Sequence, residues 1–238
     1  MQDIIGAIEK EKEYLSFRMR GEEPYHLVDA VKEYGFENLE EYFEAKRDHE
    51  FSQLEFEIID TTPEKAISDV LGCIERKKTA VLLAVTDKTL VWNGNNSEFN
   101  ESYCEECGIP IYPLYTNGGT IVSTPGDLNI GICFPEIKKL GSHYILKRFA
   151  EIFKKYTQKD ISVQGNDVIV DGVKVLGSSS YRQNGMFVFI TPVSLSEKGD
   201  LISEICLKHS TKQPGHIDFM DAATLREEVE RWLRVQLS

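Results

Sequence analysis

Two stretches of this chain hold residues whose types and spacing could do chemistry. Residues 115–129 read YTNGGTIVSTPGDLN, with Gly118-Gly119 at one turn, Gly126-Asp127-Leu128-Asn129 at a second, and a short strand between them. Glycine lets a backbone come close to a ligand, so such a loop can aim amides at a phosphate, although an ordinary hairpin would read the same way. Residues 171–180 read DGVKVLGSSS. Lys174 sits there in an alternating run, where a solvent-facing lysine is the plain reading. The small residues after it, Gly177-Ser178-Ser179-Ser180, do not suit an ordinary strand and leave room for a ligand beside the backbone. A lysine at such a place offers an anion a compact point charge.

The thiols and imidazoles say less. Cys104 and Cys107 have C-x-x-C spacing, but a zinc site needs four ligands, usually from a second pair, and no such pair is present. A redox pair would open a helix, whereas this one closes a predicted helix just before Gly108. None of the five histidines has H-E-x-x-H spacing. His209 follows Cys206 by three residues, as a thiol–imidazole pair could, yet such pairs are usually assembled from distant segments. An odd count of five cysteines suggests free thiols and a cytoplasmic setting, and the acidic start (Asp3, Glu9, Glu11) is unlike a signal peptide.

Stepping outward, the pattern predicts the elements that must hold these residues. Residues 1–50 read as two or three short helices, with Ile4, Ile5, Ile8 and Leu15 at helical spacing, a second segment from Pro24 and a third capped by Asn38. From residue 53 the pattern changes. LEFEIID is a strand, TTPEKAISDVLGCIERK a helix entered at Pro63, and TAVLLAV and TLVWNGN two more strands. A short helix ending at Gly108 leads to the strand IPIYPLY, and LNIGICF alternates as another. Ser142 would cap a helix with Ile145, Phe149, Ile152 and Tyr156 on one face. ISVQGNDVIVDGVKVLG carries a D-G turn at 171–172, a hairpin signal; MFVFI is a buried strand, and a helix follows Asp221. The expected fold is α+β: a mixed, largely antiparallel β-sheet flanked by helices, with an N-terminal helical extension.

Charge and composition set limits. Hydrophobic residues make up 41% and charged residues 28%, enough for a sizeable core. No apolar run approaches the roughly 20 residues of a membrane span. A net charge of −12 disfavours broad nucleic-acid or lipid surfaces but leaves room for a small anion in a local basic pocket. Residues 1–50 carry fourteen acids against seven Lys/Arg, most of the surplus.

Taken together, the two stretches resemble one family: the lipoate–protein ligases, with their octanoyltransferase and biotin ligase relatives. The family's glycine loop has the form R-x-G-G-G-x-V-x-H-D-x-G-[ND]-L-N, and YTNGGTIVSTPGDLN lies over it without a gap. Its lysine motif, N-D-[ILV]-x-V-[DN]-G-x-K-[IV]-x-G-S, is similar to NDVIVDGVKVLGSS at 166–179. Gly118 and Lys174 are 56 residues apart, about the family's separation. The resemblance covers residues 53–238, which would form a ligase-like catalytic domain after an acidic helical extension, 1–50.

The resemblance implies the fold that biotin ligases share with class II aminoacyl-tRNA synthetases. It implies ATP, Mg2+ and lipoate or octanoate as small molecules, an acyl-adenylate, and transfer of the acyl group to a lysine of a lipoyl-carrier domain protein. Lys174 would bridge acyl carbonyl and phosphate. Tyr115, Asn117, Gly118, Gly119, Thr120 and Ser123 would form the ligand loop, built into a hairpin; Asp127 and Asn129 would hold its end, and Gly177 and Ser178 would admit the acyl-phosphate portion. The chain departs from the motif at Tyr115 (arginine in the family), Asn117 (glycine) and Ser123-Thr124 (His-Asp). One lost charged hydrogen bond in such a site costs about 2–4 kcal/mol of transition-state stabilisation. Arg182, Lys147 and Arg148 are candidates to replace the missing arginine. Two further readings remain open: a descendant that binds without ligating, and an ATP-independent octanoyltransferase carrying its acyl group as a thioester on Cys206, 32 residues after Lys174.

Overall fold

The structure is a computed structural model that describes residues 2–22, 25–94, 98–114, 116, 119–138, 140–207 and 214–235. The chain divides into two compact units, 1–54 and 55–236. In the first, three helices pack together: α1 (Ile4–Met19), α2 (Leu27–Glu33) and α3 (Leu39–Ser52). Asp3 caps α1 by accepting from the Gly6 amide, and Asn38 caps α3 by accepting from the Glu41 amide at 3.0 Å. Ala7, Val31, Phe36 and Tyr42 form the core. Glu11, buried on α1, accepts from Tyr42 Oη at 2.7 Å and pairs with Lys46. Pro24, expected to open the second helix, lies outside the described residues.

The second unit runs β1 (Glu57–Asp60), α4 (Pro63–Glu75), β2 (Ala80–Val85), β3 (Leu90–Asn93), α5 (Glu101–Glu106), β4 (Ile111–Pro113), β5 (Thr120–Ser123), β6 (Leu128–Pro135) and α6 (Ser142–Lys154). It continues through β7 (Ile161–Gln164), β8 (Asp167–Val170), β9 (Val173–Gly177), β10 (Ser179–Gln183), β11 (Met186–Val193), α7 (Leu201–Ile205) and α8 (Ala222–Val235). Eight strands form one sheet in the order β1-β2-β6-β11-β9-β8-β7, with β10 also on β11; β1–β2 is parallel and the other pairs are antiparallel. A three-stranded sheet, β4-β3-β5, stands apart. This is the α+β architecture that the sequence pattern predicts.

Alternation along the strands decides what each face buries. Val188, Leu82 and Cys133 meet Val70, Cys73 and Ile74 of α4 on one face. Phe189 on the other face stacks on Phe149 of α6 (centroids 6.3 Å), which also meets Trp232 of α8 edge-on. Among the described residues no helix is long and apolar enough to cross a membrane.

Several expectations need correction. The quoted loop does not sit in a hairpin: β5 pairs with β3 in the small sheet, while β6 pairs with β2 and β11 in the large one. The turn at 124–127 therefore carries the chain between sheets. Ser142 does not cap α6, which starts at that residue after Gly141; its hydroxyl lies 2.7 Å from Ser180 Oγ. Tyr156 lies past the helix, half-exposed, donating to Glu228 Oε1 at 2.8 Å. Ser179 and Ser180 belong to β10, because the chain leaves β9 at Gly177 and turns at once to pair with Phe189 and Ile190.

Candidate active site

Lys174 is placed by its hairpin. Asp171 and Gly172 both lie in the left-handed region (φ 48° and 82°), the pair a tight two-residue turn requires. The turn sets the in–out phase of β9 against β8, so Lys174 Nζ reaches Asp167 Oδ1 at 2.9 Å. Gly177 makes this possible. A Cβ there would fall 2.6 Å from Lys174 Cε and 2.7 Å from Nζ, so the lysine stem crosses bare backbone. The Lys174 side chain, about a third exposed (32%), borders a cavity of about 350 Å³.

Five described segments line this cavity, one of them Pro214-Gly215, whose Gly215 amide donates to the Lys174 carbonyl. Lys174, Gly177 and Ser178 come from β9 and its exit, and Gly119 and Thr120 from the approach to β5. Ser194 and Lys198 come from the segment after β11, and Cys206 from the end of α7. A narrow apolar slot of about 30 Å³ shares Leu114, Ile121 and Pro192 with the cavity and runs beneath α4, past Ala66 and Val70. Gly131 lies on its floor, where a Cβ would stand 3.6 Å from both Val70 and Leu82.

The loop residues divide into those that face the cavity and those that hold the fold. Asn129 accepts from Trp92 Nε1 (3.1 Å) and Ser123 Oγ (3.0 Å) and donates to Thr86 Oγ1 (2.6 Å), so both Asn129 and Ser123 are committed inside. Asp127, buried, accepts from Thr124 N (2.9 Å), Thr124 Oγ1 (3.2 Å), Leu195 N (2.8 Å) and Ser196 Oγ (3.1 Å), and pairs with Lys198. These bonds tie the 124–127 turn to the segment after β11. Ser123, Asp127 and Asn129 do not border the larger cavity; Asn129 touches only the slot. Of the sequence-stated site, Gly119, Thr120, Lys174, Gly177, Ser178 and Cys206 are brought together. Tyr115, Asn117 and Gly118, and the imidazole of His209, lie outside the described residues.

Thr116 and Lys198 are among the cavity residues that escaped the sequence reading. Thr116 is buried, and its hydroxyl, like that of Thr120, has no hydrogen-bond partner among the described residues. Lys198 sits in SLSEKGD, which reads as a surface turn; no local signal marks it. Burial lowers its pKa, against the opposing pull of Asp127. The expected stand-ins for an arginine lie elsewhere: Arg182 pairs with Glu136 at 2.7 Å, Arg148 with Glu151 at 2.8 Å, and neither they nor Lys147 border the cavity. Burial, with Cys104 nearby, pushes the Cys206 thiol up.

A mixed sheet flanked by helices, with a lysine hairpin set across a cavity from a glycine-bearing loop, defines an α+β domain of the lipoyl ligase class. The family model of the lipoyl protein ligase A/B catalytic domain matches residues 63–236, and the chain belongs to that family. No curated protein sequence matches it. Among solved structures it is similar to a bi-partite lipoate protein ligase from Thermoplasma acidophilum, studied with its E2 lipoyl domain (TM-score 0.64, 16% identity, 78% of this chain and 84% of that one). It is also similar to a lipoate-protein ligase A bound with ATP (TM-score 0.63, 14% identity, 77% and 86%). The LipL1 of P. falciparum in complex with lipoate gives a TM-score of 0.64 at 12% identity; 77% of this chain matches, spanning 63% of that one. At these identities the likeness is one of fold.

Proposed function

We propose that this protein attaches a lipoyl or octanoyl group to a lysine of a lipoyl-carrier domain, as a lipoate–protein ligase does. One observation carries the reading: Lys174, laid over Gly177, faces Gly119 and Thr120 across a cavity that narrows into an apolar slot. An acyl carboxylate and the α-phosphate of ATP are both anions, so joining them needs donors aimed where charge develops. Lys174 supplies the point charge. The hydroxyl of Thr120 and the backbone at Gly119 and Gly177 supply neutral donors, while Ser178 spends its hydroxyl on the Asn166 carbonyl. The tail lies toward Leu114, Ile121 and Pro192, where the apolar slot lined by Ala66 and Ile67 begins. Bound ATP would supply the adenylyl group that activates the carboxylate. Among the described residues no cluster of three or more His, Cys, Asp or Glu could hold a metal ion, so no step is assigned to Mg2+. That similar folds have been solved with lipoate and with ATP, and that one such ligase was studied alongside its E2 lipoyl domain, supports the choice of substrates.

A second reading has its own observation: Cys206 borders the same cavity as Lys174. In that route the Cys206 sulfur attacks an incoming acyl-thioester, the donor thiolate leaves, and Lys174 polarises the carbonyl; the carrier lysine then displaces Cys206. The raised thiol pKa weighs against it, since the thiolate is the nucleophile. One experiment separates the two. A lipoyl-carrier domain is incubated with the protein and octanoate, with and without ATP, or with an octanoyl-thioester, and its intact mass is read. ATP-dependent modification lost in Lys174→Ala and kept in Cys206→Ser supports ligation. Modification from the thioester alone, lost in Cys206→Ser, moves the assignment to the second route. No modification, with no calorimetric binding of a lipoyl-adenylate analogue, rejects both.

A further inference from the structure

Lys198 is a buried cation that neither route uses. Its side chain is 6% exposed, yet it borders the cavity. A lysine has three N–H donors and no acceptor. Among the described residues one of those donors goes to Asp127 and no other partner takes the rest. Asp127 does not depend on it, since Thr124 N, Thr124 Oγ1, Leu195 N and Ser196 Oγ already donate to its two oxygens. The pair is therefore lopsided: the carboxylate is satisfied and the ammonium is not.

A second, independent observation points the same way. Thr116, 2% exposed, borders the cavity with a hydroxyl that has no partner among the described residues. Buried donors without protein acceptors, gathered round one cavity, call for an acceptor from outside. Charge balance narrows its nature. Among the described residues at the cavity, Lys174 is matched by Asp167 and Lys198 by Asp127, so these charges balance before the site fills, and Asp127 stands beside the seat. A single negative charge suits such a place better than a polyphosphate does. We infer that Lys198, with Thr116, seats the carboxylate of the acyl substrate before activation, leaving Lys174 for the charge that develops during transfer. This rests on the acyl-transfer reading above.

The test uses Lys198→Gln, whose amide keeps a donor for Asp127 while removing the charge. Octanoate, octanamide and AMP are titrated calorimetrically into wild type and variant. Octanoate affinity should fall about 30-fold or more, the scale of losing one buried charged hydrogen bond, with octanamide and AMP changed less than about threefold. A folded variant that binds octanoate as wild type does overturns the inference. So does a variant that loses AMP and keeps octanoate, which would make the seat a phosphate site. Wild type that binds neither octanoate nor octanamide overturns the acyl-transfer reading and this inference with it, whereas intact binding in the variant overturns the Lys198 assignment alone. Should Lys198→Gln not fold, the carbon-13 signal of Lys198 Cε in the wild type decides. Octanoate must raise its titration midpoint and octanamide must not; an unmoved midpoint overturns the seat.

Discussion

Gly177→Ala should separate the placement of Lys174 from the stability of the fold. Gly177 is not in the left-handed region, so alanine adds no backbone strain there. Its Cβ would stand 2.6 Å from Lys174 Cε, where ordinary contact begins at 3.4 Å, so the lysine tip must retreat by the difference, about 0.8 Å. The stem is flexible and part-exposed, and yields cheaply. The partly exposed pair with Asp167 contributes about 1 kcal/mol at most, while alanine restricts the unfolded chain by about 0.4–1 kcal/mol in the other direction. The two nearly offset, so Tm should move by less than about 3 °C.

Turnover should respond quite differently. A charge displaced by about 1 Å from its productive position costs roughly 10²-fold, and losing it outright costs 10² to 10³. Acyl transfer to the carrier domain, followed by mass, should therefore fall about 10²-fold in kcat/KM, with Lys174→Ala at least as slow. Wild-type turnover in Gly177→Ala would refute the claim that the position of this lysine matters. A Tm loss above about 10 °C would refute the claim that the lysine yields without damage to the sheet.

Three other substitutions probe other parts of the argument. Gly131→Ala places a methyl in ordinary contact with Val70 and Leu82 on the slot floor, so octanoate affinity should drop about tenfold while hexanoate holds; equal losses would mean that the tail does not enter the slot. Asp127→Asn leaves Lys198 buried without its counter-charge and should cost about 3–5 kcal/mol, seen as a Tm fall of roughly 10 °C; a fall under about 3 °C would show that the turn is anchored otherwise. Burial raises the Cys133 thiol from 9.0 to about 12. A proton retained only in the folded state stabilises fully below about pH 9, and that contribution is lost as pH climbs from 9 toward 12. Urea unfolding at pH 8, 9.5 and 11 should therefore be less pH-dependent in Cys133→Ala, by up to about 1.4 kcal/mol per pH unit, and an unchanged slope counts against the burial account.

Local rules carried most of the fold. The D-G pair at 171–172 announced its turn because few residues tolerate two successive left-handed conformations, and Asn38 announced a cap because its side chain can replace a missing helical acceptor. What local rules cannot contain is which strand meets which. β5 and β6 are adjacent in sequence and separated by a turn with a left-handed glycine, so a hairpin is the natural expectation. The chain instead spends Asp127 on Leu195 and Ser196, some 70 residues away in sequence, and sends its two strands into different sheets. The serines after Gly177 misled for a related reason: small residues discourage an isolated strand, but β11 offers β10 a ready partner.

The same distinction governs the site. Lys174 was legible because its motif contains its own scaffold: turn, strand and the glycine it lies across all fall within seven residues, 171–177. Lys198 was not, because everything that makes it unusual comes from elsewhere. Its counter-ion sits on the β5–β6 turn, and the loop facing it supplies Thr116. A lysine in SEKGD carries no mark of burial, and its charge alone would place it in water. Conversely, Asp127 and Asn129 are prominent in the glycine stretch yet spend their polar atoms on Thr124, Trp92 and Thr86. Their bonds hold the loop's end at the start of β6, an interior strand of the large sheet. In a site assembled this way, the residues that touch the ligand are only partly those the motif displays. On the reading proposed above, the rest are found by asking which buried donors at the cavity have no acceptor among the described residues: Lys198 and Thr116 answer, beside the Thr120 that the motif already displays.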